Sequence, residues 1–280
     1  MVRKMMLSLM VLVGMLFVPS SVRASSPIFE DVTSYQIYYD PVTTKIEKDM
    51  RRYDLVILEP REVTKEQVSR IQNSGTMVLG YVNVMEADEW NVEVMKQLQE
   101  EDFFYRNGEK VFFPEWNSYL MDLTSSHYQS VLRTDLKAQV IDKGFDGIFF
   151  DTVGDIDDQH SQNSSVLTAQ RNAYAELLKF VRHEYGQIPI IQNWGFDTLK
   201  TTSAPYVDGV MWEGFQYSAV ARDEWSQNRI ADLNTLRAKY DIDVFTVSYK
   251  GKRKSMTYAR ERGFIHTHEP DHYNRWTYVK

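Results

Sequence analysis

The chain has 280 residues, 43% of them hydrophobic, and a formal net charge of −7. That is apolar content enough for one large core, and the acidic balance argues against nucleic acid as a partner. The sequence contains no cysteine, so disulfides, thiolate metal sites and a lipid-bearing cysteine are excluded.

Residues 1–24 read as a signal peptide. Arg3 and Lys4 give a basic start, residues 7–18 are an apolar run, and Val22-Arg23-Ala24 resembles a small-x-small cleavage site. The run is short for a bilayer span; an uncleaved anchor is the alternative. The expected product is secreted, extracellular or held at the cell surface, with one folded domain over 27–280. Loss of Arg3, Lys4 and Arg23 would take the net charge from −7 to −10, which favours a neutral or cationic substrate.

From Ser34 onward, short apolar runs alternate with amphipathic stretches. The runs are 35–39, 53–59, 77–84, 145–151, 188–194, 207–215, 244–249 and 263–268, and the clearest helix-period segments are 65–72, 128–142, 166–185 and 223–240. Such alternation implies βαβ units and a parallel sheet. Eight strands predict a (β/α)8 barrel, a single domain, and near-continuous apolar strands fit a sheet buried on both faces. Gly75, Gly144 and Gly186 each follow a helical stretch and precede a strand, where a left-handed helix-ending residue is expected. Residues 88–123 exceed a minimal barrel. They read as an insertion after strand 3 with a helix, a turn at Asn107-Gly108 and an extended piece. Loops that follow strands lie on the active-site face, so the insertion should shape a cleft.

Two strands share a pattern. Asp146-Gly147-Ile148-Phe149-Phe150-Asp151 on strand 4 and Asp208-Gly209-Val210-Met211-Trp212-Glu213 on strand 6 both run from Asp-Gly through three bulky apolar residues to a carboxylate. Alternation along a strand puts Phe149 with Asp151 and Met211 with Glu213, and interior layers draw on alternate strands. If the registers correspond, Asp151 and Glu213 share a layer at the C-terminal mouth. Two such acids beside aromatic side chains shift each other's protonation, which is the division of labour that glycoside hydrolysis uses. Asp146 and Asp208, which start their strands, read as turn or salt-bridge residues.

The segment Gly144 to Asp151, followed by Asp155, resembles the strand-4 signature of the endo-α-1,4-polygalactosaminidase family, to which hydrolases of the Pel biofilm polysaccharide are similar. The resemblance extends to Gly80-Tyr81-Val82-Asn83 with Glu86, Leu120-Met121-Asp122, Ile190-Ile191-Gln192-Asn193, and Asp208-Gly209-Val210 leading to Glu213. It departs at Trp212-Glu213-Gly214-Phe215, which bears on fine substrate choice. The resemblance implies an α-1,4-linked galactosamine or N-acetylgalactosamine polymer as substrate, and a role in exopolysaccharide or biofilm turnover. By analogy with other retaining barrel enzymes, Asp151 is the expected nucleophile and Glu213 the acid/base.

Substrate contacts are expected from Tyr81, Asn83, Glu86, Asp122, Asp155, Asn193, Trp194, Trp212, Tyr249 and Glu269. Asp157 and Asp158 read as a solvated acidic turn, with Asp40 and Glu59 as weaker candidates at strand ends. His266 and His268 share a strand face, which makes a metal conceivable, but no matching group stands out elsewhere, so no metal is expected. No phosphate-binding Gly-rich loop is apparent, and no cofactor is expected. The expected partner is a polysaccharide, with no membrane contact after cleavage, and the protein is expected to be a monomer. Two alternatives stay open: an inactive carbohydrate-binding barrel and a hydrolase of another α-glycan.

Overall fold

A computed structural model describes residues 28–276; the expected signal peptide lies outside them. Eight parallel strands form one sheet: β1 (Tyr35–Tyr38), β2 (Leu55–Leu58), β3 (Met77–Asn83), β4 (Gly147–Asp151), β5 (Ile190–Asn193), β6 (Gly209–Trp212), β7 (Asp243–Ser248) and β8 (Ile265–His268). The order in space is the order in sequence, as right-handed strand–helix–strand crossovers give when a sheet winds into a (β/α)8 barrel. At the seam, side chains join β1 to β8. Gln36 Nε2 donates to Glu269 Oε2 at 2.8 Å, and Thr267 Oγ1 donates to Gln36 Oε1 at 3.0 Å.

Outside the barrel lie α1 (Thr44–Met50), α2 (Lys65–Gln72), α3 (Ser126–Leu136), α4 (Gly154–His160), α5 (Ser164–Tyr185), α6 (Glu224–Tyr240) and α7 (Lys252–Arg260). Local chemistry sets several of their ends. Thr64 and Gln67 form a capping box on α2, and Asn163 and Asp223 cap α5 and α6 through their side chains. Gly75, Gly144 and Gly186 all have positive φ, as their positions in the sequence imply.

Strand alternation divides the apolar side chains between two cores. Ile37, Ile57, Leu79, Phe149, Ile191, Met211, Phe245 and Val247 fill the barrel interior. Val56, Val78, Ile148, Phe150, Val210 and Val244 face the helices. Each such side chain, fully buried, contributes roughly 1.5–3 kcal/mol. Gly147 has to be glycine, since a Cβ there would stand 2.2 Å from the Pro189 carbonyl oxygen. Asp146 and Asp208 are structural. Asp146 Oδ2 accepts from Val78 N at 2.7 Å, and Asp208 accepts from Ile190 N at 2.8 Å and pairs with Arg182 at 2.7 Å.

The insertion follows β3. Its outer strands Glu86–Asp88, Phe112–Phe113 and Ser118–Leu120 form an antiparallel sheet, and Tyr105–Arg106 pairs with Glu109–Lys110 across Asn107-Gly108. Both turn residues have positive φ, as a two-residue hairpin turn of the primed type requires.

Candidate active site

The carboxylates of Asp151 and Glu213 meet at the C-terminal mouth, held by one amide. Asn193, at the end of β5 between them, donates from Nδ2 to Asp151 Oδ1 at 2.7 Å and to Glu213 Oε1 at 2.6 Å. The two bonds together limit the separation of those oxygens to about 5.3 Å. The acids are not in line along the ladder. Phe149 pairs with Ile191 and Ile191 with Gly209, so β6 is offset and Glu213 lies two residues beyond Met211, the partner of Asn193. A barrel's register staggers from strand to strand, and this stagger brings Glu213 to the height of Asp151.

Asn193 is only 4% exposed. Serving both acids with its N–H groups leaves its Oδ1 buried without a donor among the described residues. Such an unpaired acceptor costs about 1–3 kcal/mol, a sacrifice of stability of the kind found at functional sites. The backbone around the pair is strained as well. Thr152, directly after Asp151, has φ 61°, and Trp194, directly after Asn193, has φ 55°. A β-branched residue there is an outlier held only by its surroundings. Thr152 N donates to Asp151 Oδ1 at 2.7 Å, and Thr152 Oγ1 donates to Asn83 Oδ1 at 2.6 Å. Gln192, facing away from the acids, donates to the Trp194 carbonyl at 2.8 Å and pins the second strained turn.

Four tyrosines wall the pair. Tyr249, after β7, and Tyr273, beyond β8, both donate to Glu213 Oε2, Tyr273 at 2.5 Å. Tyr39 packs edge-on against Tyr81 and Tyr273, with ring centroids at 4.8 and 5.3 Å, and the Tyr81 phenol lies beside Asp151. Burial raises the pKa of Glu213 and the charge of Asp151 raises it further, against hydrogen bonds from Tyr249, Tyr273 and Asn193 that favour the anion. The arrangement gives one carboxyl biased toward holding a proton beside a second carboxylate.

The other expected contacts divide. Trp194 and Asp155 line an open pocket with Asp151, Thr152, Asp158 and Asn193. Successive residues of a regular strand point to opposite faces; Asn193 and Trp194 both reach this pocket because the positive φ of Trp194 ends the alternation. Burial, then the charge of Glu86, pushes Asp155 up to about 9, and its Oδ2 is buried without a hydrogen-bond partner among the described residues. Glu86, raised mainly by burial, accepts from Ser118 Oγ and stands behind the pocket. Asn83 supports the turn after β3, accepting from Glu86 N at 3.1 Å.

Three expected contacts are elsewhere. Trp212 is 2% exposed and packs among Phe196, Phe215 and Trp225; with Glu213 facing inward, its neighbour must face the helices. Glu269 is 1% exposed, accepting from Gln36 and Asp271 N at the barrel seam. Asp122 accepts from Thr124 and Gln170 near the start of α3. Asp157 pairs with Arg171 at 2.6 Å rather than forming a solvated turn. His266 is buried between Thr246 and Ser248, and burial holds it down to about 4. Among the described residues no group of three or more His, Cys, Asp or Glu is disposed to hold a metal.

Sequence reasoning missed Tyr39, Thr152 and Tyr273. Tyr39 sits at the end of the first apolar run, a legible position on the active-site face. Tyr273 has no periodic signal.

The model of glycoside-hydrolase family GH114 matches residues 19–275. The chain belongs to this family. A comparison with curated protein sequences finds no match. Among solved structures, the GH114 chain is similar to the glycoside hydrolase domain of PelA from Pseudomonas aeruginosa, with 19% identity, TM-score 0.69, and coverage of 85% of this chain and 94% of that one. It is similar also to Aspergillus fumigatus Ega3, solved in complex with galactosamine, with 14% identity, TM-score 0.64, and coverage of 87% and 93%. An α-galactosidase from Thermus thermophilus shares the fold at TM-score 0.55 and 11% identity, over 87% of this GH114 chain and 59% of that one. Family membership makes the chain a glycoside hydrolase. None of the described helices is long and apolar enough to cross a membrane.

Proposed function

We propose that this GH114 hydrolase cleaves within α-1,4-linked galactosamine or N-acetylgalactosamine polysaccharide, with retention, using Asp151 as nucleophile and Glu213 as acid/base. The observation that carries this is the shared Asn193 amide, which holds the facing oxygens of the two carboxylates no more than about 5.3 Å apart, a closeness that favours the ~5–5.5 Å spacing of a covalent mechanism over the ~6.5–9.5 Å spacing that admits a water. The substrate class rests on the sequence resemblance and on the likeness in fold to PelA and to galactosamine-bound Ega3.

In the first step Asp151 attacks the anomeric carbon as the glycosidic C–O bond breaks, and the Glu213 proton passes to the leaving oxygen. In the second, Glu213 takes a proton from water, the water oxygen bonds to the anomeric carbon, and the bond to Asp151 breaks. Asn193 donates to both carboxylates, and Tyr249 and Tyr273 stabilise Glu213 whenever it is anionic. The N-terminal pattern supports cleavage of residues 1–24 and action outside the cell or at its surface on an exopolysaccharide or biofilm matrix. A monomer suffices, since both acids come from one chain.

The test is incubation with partially deacetylated poly-α-1,4-N-acetylgalactosamine, products read by mass spectrometry. An oligosaccharide ladder is expected, lost in Asp151→Asn and Glu213→Gln while both variants stay folded. Near-normal activity in either variant would remove the pair from the mechanism. Binding without cleavage by the unaltered chain would favour a carbohydrate-binding barrel.

A further inference from the structure

Beside the catalytic pair, a crevice opens between the ends of β2 and β3, the insertion and α3. Its walls include Glu59, Tyr81, Asn83, Asp88 and Asp135, and Trp90 stands at its rim. The enclosed part is small, about 40 Å³, room for a substituent such as an ammonium rather than a whole ring, and the space counting the open mouth is about 500 Å³.

The rim is aromatic and exposed. Glu89 N donates to the Asn117 carbonyl at 3.0 Å, continuing the pairing of Asp88 with Ser118 one step outward. Trp90 and Trp116 follow beyond the ends of the two strands and are 52% and 62% exposed; of the two, Trp90 lines the crevice. Leaving a side chain of this size in water forgoes roughly 1.5–3 kcal/mol of burial, and exposed apolar surface rimmed by polar groups marks a place where something binds.

The walls carry one cation, Arg61, which pairs with Asp135 at 2.5 Å and lies 3.7 Å from Glu59. Among the described residues the Asp88 carboxylate takes one side-chain hydrogen bond, from the Asn83 amide at 3.2 Å. Burial pushes Glu59 up to about 7 and Asp88 up to about 6. A cation entering the crevice restores the charged forms that burial disfavours.

The crevice is continuous with the catalytic centre. Tyr81 lines it while its phenol lies beside Asp151, and Asn83 is the ladder partner of Asp151.

We propose that the crevice and Trp90 form a distal subsite for one amino-sugar ring of the polymer, with the ring's apolar face on the indole and its 2-ammonium directed at Asp88 and Glu59. This deepens the glycosidase reading and rests on it. An aromatic face beside desolvated carboxylates matches a ring that is apolar on one side and cationic at one substituent.

The test is calorimetric binding of deacetylated and fully acetylated α-1,4-galactosamine oligosaccharides, in a Glu213→Gln background so that nothing is turned over. Trp90→Ala is expected to weaken both by about tenfold, and Asp88→Asn to weaken only the deacetylated ligand. Because Trp90 is exposed, its loss leaves the fold intact, which a melting curve checks. Unchanged Kd in Trp90→Ala overturns the subsite, as does dissociation of a dimer by that substitution in sedimentation. Failure of the glycosidase reading registers separately, as absence of polymer cleavage by the unaltered chain.

Discussion

The Tyr273 hydroxyl donates to Glu213 Oε2 at 2.5 Å, although 60 residues separate the two in sequence. Tyr273 belongs to the segment after the last strand, where His272 and Tyr273 both have positive φ and the Tyr273 carbonyl accepts from Tyr39 N at 3.0 Å. The segment after β8 thus turns back over the mouth of the barrel at Tyr273 and bears on the proton affinity of the proposed acid.

Tyr273→Phe removes one donor from the anionic form of Glu213, so the pKa of Glu213 rises. Glu213 must be protonated to act as the acid, so the alkaline limb of kcat should move upward by roughly one pH unit. A pH–rate profile checks this; an unmoved limb would show that Tyr273 only packs there.

Asn193→Ala removes the donor common to both acids. They then repel with no bridge between them, and kcat is expected to fall by about 10²–10³, in the range seen for loss of one preorganised donor. The alkaline limb of the pH profile should rise, since Glu213 loses a bond that favours its ionisation. Melting temperature should change little, because the substitution also deletes the unpaired Oδ1. A large loss of stability with an unshifted profile would make Asn193 a packing residue.

Gly147→Ala tests the base of the barrel. Its Cβ would meet the Pro189 carbonyl oxygen at 2.2 Å and Leu79 Cδ2 at 2.8 Å. Backbone cannot step aside as a side chain does, so a loss of about 1–3 kcal/mol is expected, read as a fall of several degrees in Tm. An unchanged Tm would mean that β4 and β5 slide past one another without cost.

Cleavage of a deacetylated, cationic polymer should weaken with salt. Surface charges are screened over ~10 Å at 0.1 M, so KM should rise between low and moderate ionic strength. Constant KM would point instead to a fully acetylated, neutral substrate.

The sequence by itself determined the barrel, because period-2 and period-3.6 patterns are local and eight strand–helix repeats admit few closures. It located Asp151 and Glu213 for the same reason, since each ends an apolar strand and strand ends of a barrel converge. The helix at 65–72 is read to the residue, its capping box being written in Thr64 and Gln67. Tertiary structure alone decided three things. The stagger of β6 against β4 depends on how the whole sheet closes, so it set Glu213 level with Asp151 where the motif match suggested simple alignment. The inward face of Glu213 turned Trp212 out into the helical layer, and closure of the seam consumed Glu269. Tyr273 reached Glu213 through a loop held by long-range contacts, and a segment without periodicity carries no local signal of where it folds back.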